Sequence, residues 1–407
     1  MNRRNNGFGR RAFLRRTGAA AAAALAAPYV ITSDALGAAD RPAASDRIVM
    51  GAIGVGGRGS GNMRGFMGAG EVQMVAVCDV VKSKRDANKA RADQKYGNTD
   101  CVAYNDFRDL VARTDIDAVC IGTPDHWHAI PSIEAMKSGK DVFCEKPMTL
   151  TIREGRQMVR TARRYGRVFS CGSQRVLGDY GHLARYVRSG AIGTVREIFV
   201  GVGGPSRPAR FPGEPVPPGL DWDLWLGPAP WVPFNRKLLN FRPWRDYSGG
   251  GMTDWGGHKF GAAIFAMDLQ ETGPVEIHPP NKDREHLTYV YANGMRMYHA
   301  RGHDITYVGD DVQASRRNMG TPAGHVTMPG YKGSGGIQGD FRHCVRTRER
   351  PFRDVEFGHR AATVCHLGNL AYRLKRSLRW DPDKERFIDD DAANRLLDRP
   401  KRGPWEL

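Results

Sequence analysis

The sequence predicts an α/β protein: a doubly wound parallel sheet, followed by an α+β half whose strands read as antiparallel. Three observations carry this. From Asp46 to Cys171 short apolar runs alternate with amphipathic helical segments, the pattern of βαβ units. A glycine segment of the form G-x-G-x-x-G lies between the first apolar run and the first helical one. After Gly172 the texture changes, and Asn293-Gly294 between two apolar runs is a hairpin signal.

The elements follow in order. Residues 47–53 form an apolar strand, and 60–70 a short helix. Residues 72–77 are a second strand, and 82–96 a polar, amphipathic helix. A short strand at 101–104 leads to a helix near 106–112, then come a strand at 118–121, a helix at 128–138 and a strand at 142–144. The helix over 151–165 opens with Thr151 and has Glu154 three residues on, a capping box. A strand at 168–171 closes the series. In the second half, 180–189 reads as a helix, and 194–202 alternates like a strand with one solvated face. Residues 203–250 are rich in Pro, Gly and Trp and show little periodicity. Residues 251–267 read as one partly apolar helix. Strands are expected at 275–278, 287–291 and 295–299, and a final helix at 358–378. The resulting division is 1–38 signal, 46–171 nucleotide-binding domain, 172–378 α+β domain for substrate and assembly, and 379–407 polar tail.

Bulk properties bound the function. A chain of 407 residues with 41% hydrophobic and 26% charged residues suits two globular domains. The 49 glycines point to long, shaped loops. Net charge is +17, and six arginines against Asp34 in the first 38 residues supply +5 of it. The remaining basic residues are scattered among acidic ones, so a solvated surface is expected rather than a nucleic-acid patch. Gly9-Arg10-Arg11-Ala12-Phe13-Leu14, an alanine-rich run at 19–27 and small residues at 35–38 read as a twin-arginine (Tat) export signal cleaved around 37–39. The run is too short and too weakly apolar for a stable membrane span. The expected location is therefore periplasmic, reached through the Tat machinery. That route carries folded proteins and suits an enzyme already loaded with its cofactor. Seven cysteines form no C-x-x-C pair, and those in strand-like runs are expected as buried hydrophobes, not disulfides.

Three motifs carry chemistry. In Gly54-Val55-Gly56-Gly57-Arg58-Gly59, Gly54 permits the tight turn, Gly56 lets backbone approach a pyrophosphate and Gly59 lets helix pack on strand. With Gly57 they open a helix N-terminus toward the phosphates. Arg58 is placed to contact adenine or phosphate. Asp79, twenty residues on, suits the ribose hydroxyls and repels a 2′-phosphate, so NAD is expected over NADP. Gly122-Thr123-Pro124-Asp125-His126-Trp127-His128 follows a strand at the same edge. Thr123 and Pro124 are placed on the nicotinamide side, with His128 among the cofactor contacts. No cysteine or carboxylate cluster accompanies the histidines, so no metal is expected. Asp-Val-Phe-Cys-Glu145-Lys146-Pro147 ends a buried strand, where Glu145 and Lys146 face the cofactor and a fixed ammonium can polarise a hydroxyl or carbonyl. Further on, Asp254 and His258 stand i, i+4 in a helical reading. The carboxylate then orients an imidazole that takes a hydroxyl proton. A glycine-loosened helix with a capping Asp and a packed His reads equally well from that stretch alone.

In order and spacing these motifs resemble the Gfo/Idh/MocA oxidoreductases (glucose–fructose oxidoreductase, inositol dehydrogenase, rhizopine catabolism proteins). The resemblance covers essentially residues 46–407, and is closest to the Tat-exported members. It implies a Rossmann domain, a second domain with an open, mostly antiparallel sheet, tightly held NAD(P), and a homodimer or homotetramer. It assigns proton-transfer assistance to Lys146 and the acid/base role to His258, beside Asp254. Two positions depart from the pattern. Gly261 stands where many members carry Asp, and Lys259 adds a charge expected to lower the His258 pKa. In the loop over 221–248, Trp244, Arg245 and Tyr247 are provisionally assigned to a sugar ring. The expected activity is hydride transfer at a secondary alcohol or ketone of a sugar or cyclitol. The alternative is NAD-dependent glycoside cleavage by transient oxidation, elimination and re-reduction. A sugar-binding protein that keeps NAD as structure is a third reading.

Overall fold

The carboxyl ends of β1 (Ile48–Ile53), β4 (Ala118–Ile121) and β5 (Asp141–Glu145) lie level, since Ile53 pairs with Ile121 and Ile121 with Cys144. These strands belong to a six-stranded sheet of order β3-β2-β1-β4-β5-β6, parallel throughout, with β2 at Val72–Cys78, β3 at Val102–Tyr104 and β6 at Phe169–Gly172. β4, β5 and β6 are buried along their whole length, which is why they read as continuous apolar runs. Chain order reverses between β1 and β4, and ligands bind in such sheets at that crevice, beyond the carboxyl edge. The computed structural model describes residues 42–302, 304–310, 312–321 and 328–407, so the expected export signal lies outside the described residues. Ile48–Leu407 forms one compact unit. In the preceding unit, Met1–Arg47, a single 3-10 turn spans Ala44–Asp46 within the described residues.

The helices of this half are α1 (Gly57–Met67), α2 (Lys82–Tyr96), α3 (Phe107–Val111), α4 (Ala129–Lys137) and α5 (Ile152–Arg164). Thr151 and Glu154 form the expected capping box on α5. The second half opens with α6 (Gly181–Arg188), where a helix is expected, and α7 (Trp222–Leu226), and it has an eight-stranded sheet of order β12-β11-β7-β10-β9-β8-β13-β14. Its strands are β7 (Glu197–Val200), β8 (Glu276–His278), β9 (Leu287–Val290), β10 (Arg296–His299), β11 (Ile305–Val308), β12 (Gln313–Ser315), β13 (Leu378–Asp381) and β14 (Arg386–Phe387). Only β7 and β10 pair in parallel; the other neighbours are antiparallel. Gly294, at φ +82°, makes the β9–β10 turn that Asn293-Gly294 announces.

The second half departs from expectation in several places, and the strands β11 and β12 and the helix α7 answer to no expected element. The helix expected over 251–267 is two, α8 (Gly251–Asp254) and α9 (Gly256–Ala266), separated at Trp255. An unforeseen helix, α10 (Gly336–Thr347), buries Ile337, Phe341 and Cys344 on one face. The last long helix, α11, spans Val355–Leu374: Asp354 caps its first turn, and Lys375 leaves it at φ 54°, freeing β13 to pair with β8. Residues 379–407 are no detached tail. They carry β14 and α12 (Asp391–Asn394), and Trp405 is buried with its ring 4.7 Å from that of Trp127. α11 packs on both α5 and α9, joining the helical layers of the two sheets. All seven cysteines are buried and free. Among the described residues no helix is long and apolar enough to cross a membrane.

Candidate active site

A cleft of about 570 Å³ opens beyond the carboxyl edge of the parallel sheet, and the motif residues converge on it. Its floor is the glycine turn. Gly54 has φ +75°, and a Cβ there would lie 2.5 Å from the Thr123 nitrogen. A Cβ on Gly59 would lie 1.8 Å from the Gly54 oxygen, so the helix sits directly on the turn. Gly57 has nothing within 4 Å of a Cβ position, and Gly56 meets only the Lys84 Nζ, at 3.7 Å. α1 begins here with no side-chain cap, leaving its first N–H groups toward the cleft. An open cradle, uncapped helix N–H groups and a nearby ammonium fit the pyrophosphate of a dinucleotide. Lys84 was not foreseen; it comes from α2 and carries no motif signal.

Asp79 sits just past β2 and lines the cleft. Burial raises its pKa against the Val81 N–H, which it accepts at 2.9 Å. Arg58 and Glu145 both line the cleft and are bonded to each other. The Arg58 Nε donates to Glu145 Oε1 at 2.8 Å, and Asn62 donates to the same oxygen at 2.8 Å. This bridge ties the glycine turn to the end of β5. Thr123, Pro124 and His128 line the cleft as expected. The two His128 nitrogens lie 2.7 Å from the Pro147 oxygen and 2.9 Å from the Thr123 oxygen, so the ring joins the loop after β4 to the lysine turn. His126 faces away, packed among Trp127, Trp225 and Tyr247, and burial lowers its pKa to about 3.

Lys146, Asp254 and His258 all line the cleft, but the expected carboxylate–imidazole pair is absent. At Trp255 the helical bonding changes: the His258 N–H donates to the Trp255 oxygen, and the Asp254 backbone oxygen accepts from Lys146 instead. The Asp254 Oδ1 instead lies 2.5 Å from Lys146 Nζ and 3.1 Å from Arg242 Nε. Burial alone would raise this carboxyl; the Lys146 and Arg242 charges outweigh it and hold its pKa below the usual value. Lys146 also donates to the Asp254 backbone oxygen at 2.9 Å, so its ammonium is fixed by one residue twice. The Lys146–Pro147 peptide is cis.

His258 is oriented by Ser173, just past β6, whose Oγ lies 2.8 Å from Nδ1 and 3.2 Å from the Gly257 oxygen. When that hydroxyl donates to Gly257, Nδ1–H donates to Ser173 and Nε2 keeps its lone pair. Nε2 has no hydrogen-bond partner among the described residues. Burial, then Lys146, Arg175 and Arg353, lower the His258 pKa to about 2. Lys259 is not among these causes: it reaches the Gly201 oxygen at 2.7 Å and Asp304 at 2.9 Å. Gly261 faces Arg353, whose Nη1 lies 3.2 Å from the position of a Cβ.

The substrate assignment to Trp244, Arg245 and Tyr247 is corrected, since none of them lines the cleft. Trp244 packs edge-on against Phe211 and donates to the Lys237 oxygen. Arg245 is exposed away from it, and Tyr247 is 2% exposed against Trp225. These residues pin the loop. The loop's contribution to the cleft is Leu224, Trp225, Leu239, Phe241 and Arg242, and Trp255 and Arg175 line it as well.

Residues 48–173 match the profile "Oxidoreductase family, NAD-binding Rossmann fold", and residues 206–407 match "Oxidoreductase family, C-terminal alpha/beta domain" of the same family. Among solved structures, an NAD-binding protein from Listeria innocua superposes with TM-score 0.58 at 17% identity, covering 82% of this chain and 97% of that one. Myo-inositol 2-dehydrogenase from Lactobacillus plantarum gives TM-score 0.56 at 17% identity, covering 82% and 99%. A curated relative, a glycosyl hydrolase family 109 protein from Shewanella baltica, is 37% identical over 169 residues, 38% of this chain. The chain matches about 37% of that relative's length. A Rossmann cradle, a cleft with a lysine at the sheet edge and both domain profiles in order agree: the chain belongs to the Gfo/Idh/MocA oxidoreductase family.

Proposed function

We infer that the protein is an NAD-dependent oxidoreductase acting at a secondary alcohol or ketone of a sugar or cyclitol. The observation that carries this reading is the convergence, in one cleft, of the glycine cradle, the fixed Lys146 ammonium and the unpaired Nε2 of His258. NAD in the cradle supplies the hydride acceptor. Lys146 donates a hydrogen bond to the substrate oxygen and favours its developing negative charge. His258 Nε2, neutral because its pKa is depressed, takes the hydroxyl proton as the carbon–hydrogen bond breaks. Asp254 holds Lys146 in place, and Ser173 holds the imidazole. In the reverse direction His258 returns the proton to the carbonyl oxygen.

Asp79 at the ribose end supports NAD over NADP. The Arg10-Arg11 pattern supports export through Tat, and a periplasmic enzyme without a free nucleotide pool is suited by a cofactor held through many turnovers. The test is to purify the protein, assay it for bound NAD and follow absorbance of reduced cofactor with a panel of sugars and cyclitols. Turnover that is absent in the wild type, or unchanged in Lys146→Ala, refutes the reading.

The glycosyl hydrolase names of the curated relatives favour a second reading, redox-neutral cleavage of a glycoside. Here the same base and lysine would serve transient oxidation to a ketone, removal of the acidified proton from the carbon beside it, loss of the aglycone from the next carbon, addition of water at that carbon and return of the hydride to the ketone. Release of aglycone with no net reduced cofactor, and solvent deuterium in the product, selects it over net oxidation.

A further inference from the structure

The substrate end of the cleft holds more cation than hydride transfer from a neutral sugar requires. Lys146, Arg175 and Arg242 line it beside Trp255 and His258, and Asp254 is the carboxylate among them. Asp125 and Glu145 line the cleft deeper in, but they are buried and already bonded, to Ser248 and to Arg58 and Asn62. Asp254 is engaged by Lys146. Arg175 pairs with Asp179 and lies 4.8 Å from the centre of the Trp255 ring.

Arg242 differs from these. It offers only Nε to Asp254, its side chain is 49% exposed, and neither Nη group has a hydrogen-bond partner among the described residues. The free side of a guanidinium is a planar pair of N–H groups, the geometry that takes two oxygens of one anion. Trp255, 41% exposed, presents ring surface to the same space, as aromatic platforms under sugars do. A cleft with more cations than carboxylates also concentrates anionic solutes, and the chain's net charge, +12 without the first 38 residues, adds to that field.

We propose that the substrate is a sugar bearing an anionic substituent, a carboxylate or a sulfate ester, with Arg242 on the anion and Trp255 against the ring. This rests on the oxidoreductase reading of the cleft, and the experiment separates the two. Binding to the NAD-loaded protein is measured calorimetrically for matched pairs: glucuronate and glucose, galacturonate and galactose, glucose 6-sulfate and glucose. Reduction of bound cofactor is followed for the same compounds, in the wild type, Arg242→Gln and Arg242→Lys.

An acidic member should bind about ten- to a hundredfold more tightly than its neutral counterpart. Arg242→Gln should raise the KM for the acidic sugar by a similar factor with a smaller change in kcat, and should collapse the acidic-to-neutral ratio. Arg242→Lys should restore part of it. Preference confined to the uronates identifies a carboxylate, and preference confined to the sulfate identifies a sulfate ester; both support the proposal. Equal use of neutral and acidic members, or an equal loss for both in Arg242→Gln, overturns it while leaving the oxidoreductase reading intact. Tight binding of an acidic sugar without cofactor reduction supports the proposal and counts against the oxidoreductase reading. Failure of every pair to bind overturns the proposal.

Discussion

At the residue scale Lys146 is tied to its surroundings more tightly than its position in a turn suggests. Asp254 grips it through both carboxylate and backbone oxygen, so the ammonium cannot swing to follow solvent. Its charge also depresses the His258 pKa, second only to burial. Two predictions follow from this coupling. Lys146→Ala should lower kcat/KM by roughly 10²- to 10⁴-fold while the protein retains bound NAD. In wild type the pH–rate profile should lack a limb near 6.5, because the base is already neutral there; removing the lysine charge should move the acid limb upward toward that value. A wild-type profile that already breaks near 6.5 excludes His258 as the depressed base. Ser173→Ala tests orientation separately. With the Nδ1 partner gone, kcat should fall roughly ten- to a hundredfold, with NAD occupancy unchanged. Loss of NAD from this variant would mean that Ser173 supports the fold rather than the imidazole.

At the element scale the site is a set of loops made level by strand register. The turns after β1, β4, β5 and β6 leave the sheet at one edge, and each contributes one part: cradle, the loop over 123–128, lysine and Ser173. Gly59→Ala should eject the cofactor, because its Cβ would meet the Gly54 oxygen at 1.8 Å, and backbone cannot yield as a side chain can. Asp354→Ala, at the start of α11, should instead cost about 1 kcal/mol of stability, the usual value of an N-cap. NAD occupancy and thermal melts of the two variants separate the effects: cofactor lost in the first, melting temperature alone lowered in the second. The contrast also explains what was legible beforehand. The cradle and the capping box are written in a few adjacent residues, so local sequence suffices for them. Helical spacing places Asp254 four positions from His258, but it carries no sign that the carboxylate bonds Lys146, 108 positions earlier in the chain. Trp244 and Tyr247 were misassigned because an aromatic that pins a loop has the same composition as one that holds a sugar. Arg242, two residues away, carries no signal until the fold brings it to Asp254. α10 was missed because its glycine-rich start and polar content hide Ile337, Phe341 and Cys344, whose spacing becomes visible only once they are buried.

At the scale of the whole molecule the buried histidines make the fold sensitive to acid. Burial depresses His258 to about 2, His126 to about 3 and His366 to about 4. His299 and His359 are shifted in the same direction. An unfolded histidine titrates near 6.5. Below that pH the unfolded chain binds protons that the folded chain refuses, so stability falls as pH falls. The contribution of these neutral rings is complete above about 7 and is lost progressively between about 6.5 and the depressed values. One ring costs about 1.4 kcal/mol per pH unit in that window, so three together remove roughly 4 kcal/mol on going from pH 7.5 to 5.5. The carboxylates held low by arginine, such as Glu385 and Glu356, stay ionised through this range and add little until lower pH. The melting temperature at pH 5.5 should therefore lie several degrees below that at pH 7.5. His366→Asn, which removes one titrating ring but can keep a donor near the Thr149 oxygen, should flatten the dependence by one ring's share, about 1.4 kcal/mol over this interval. A melting temperature that is level across the interval would mean that these imidazoles are protonated in the folded protein. The neutral Nε2 assigned to His258 would then lose its basis.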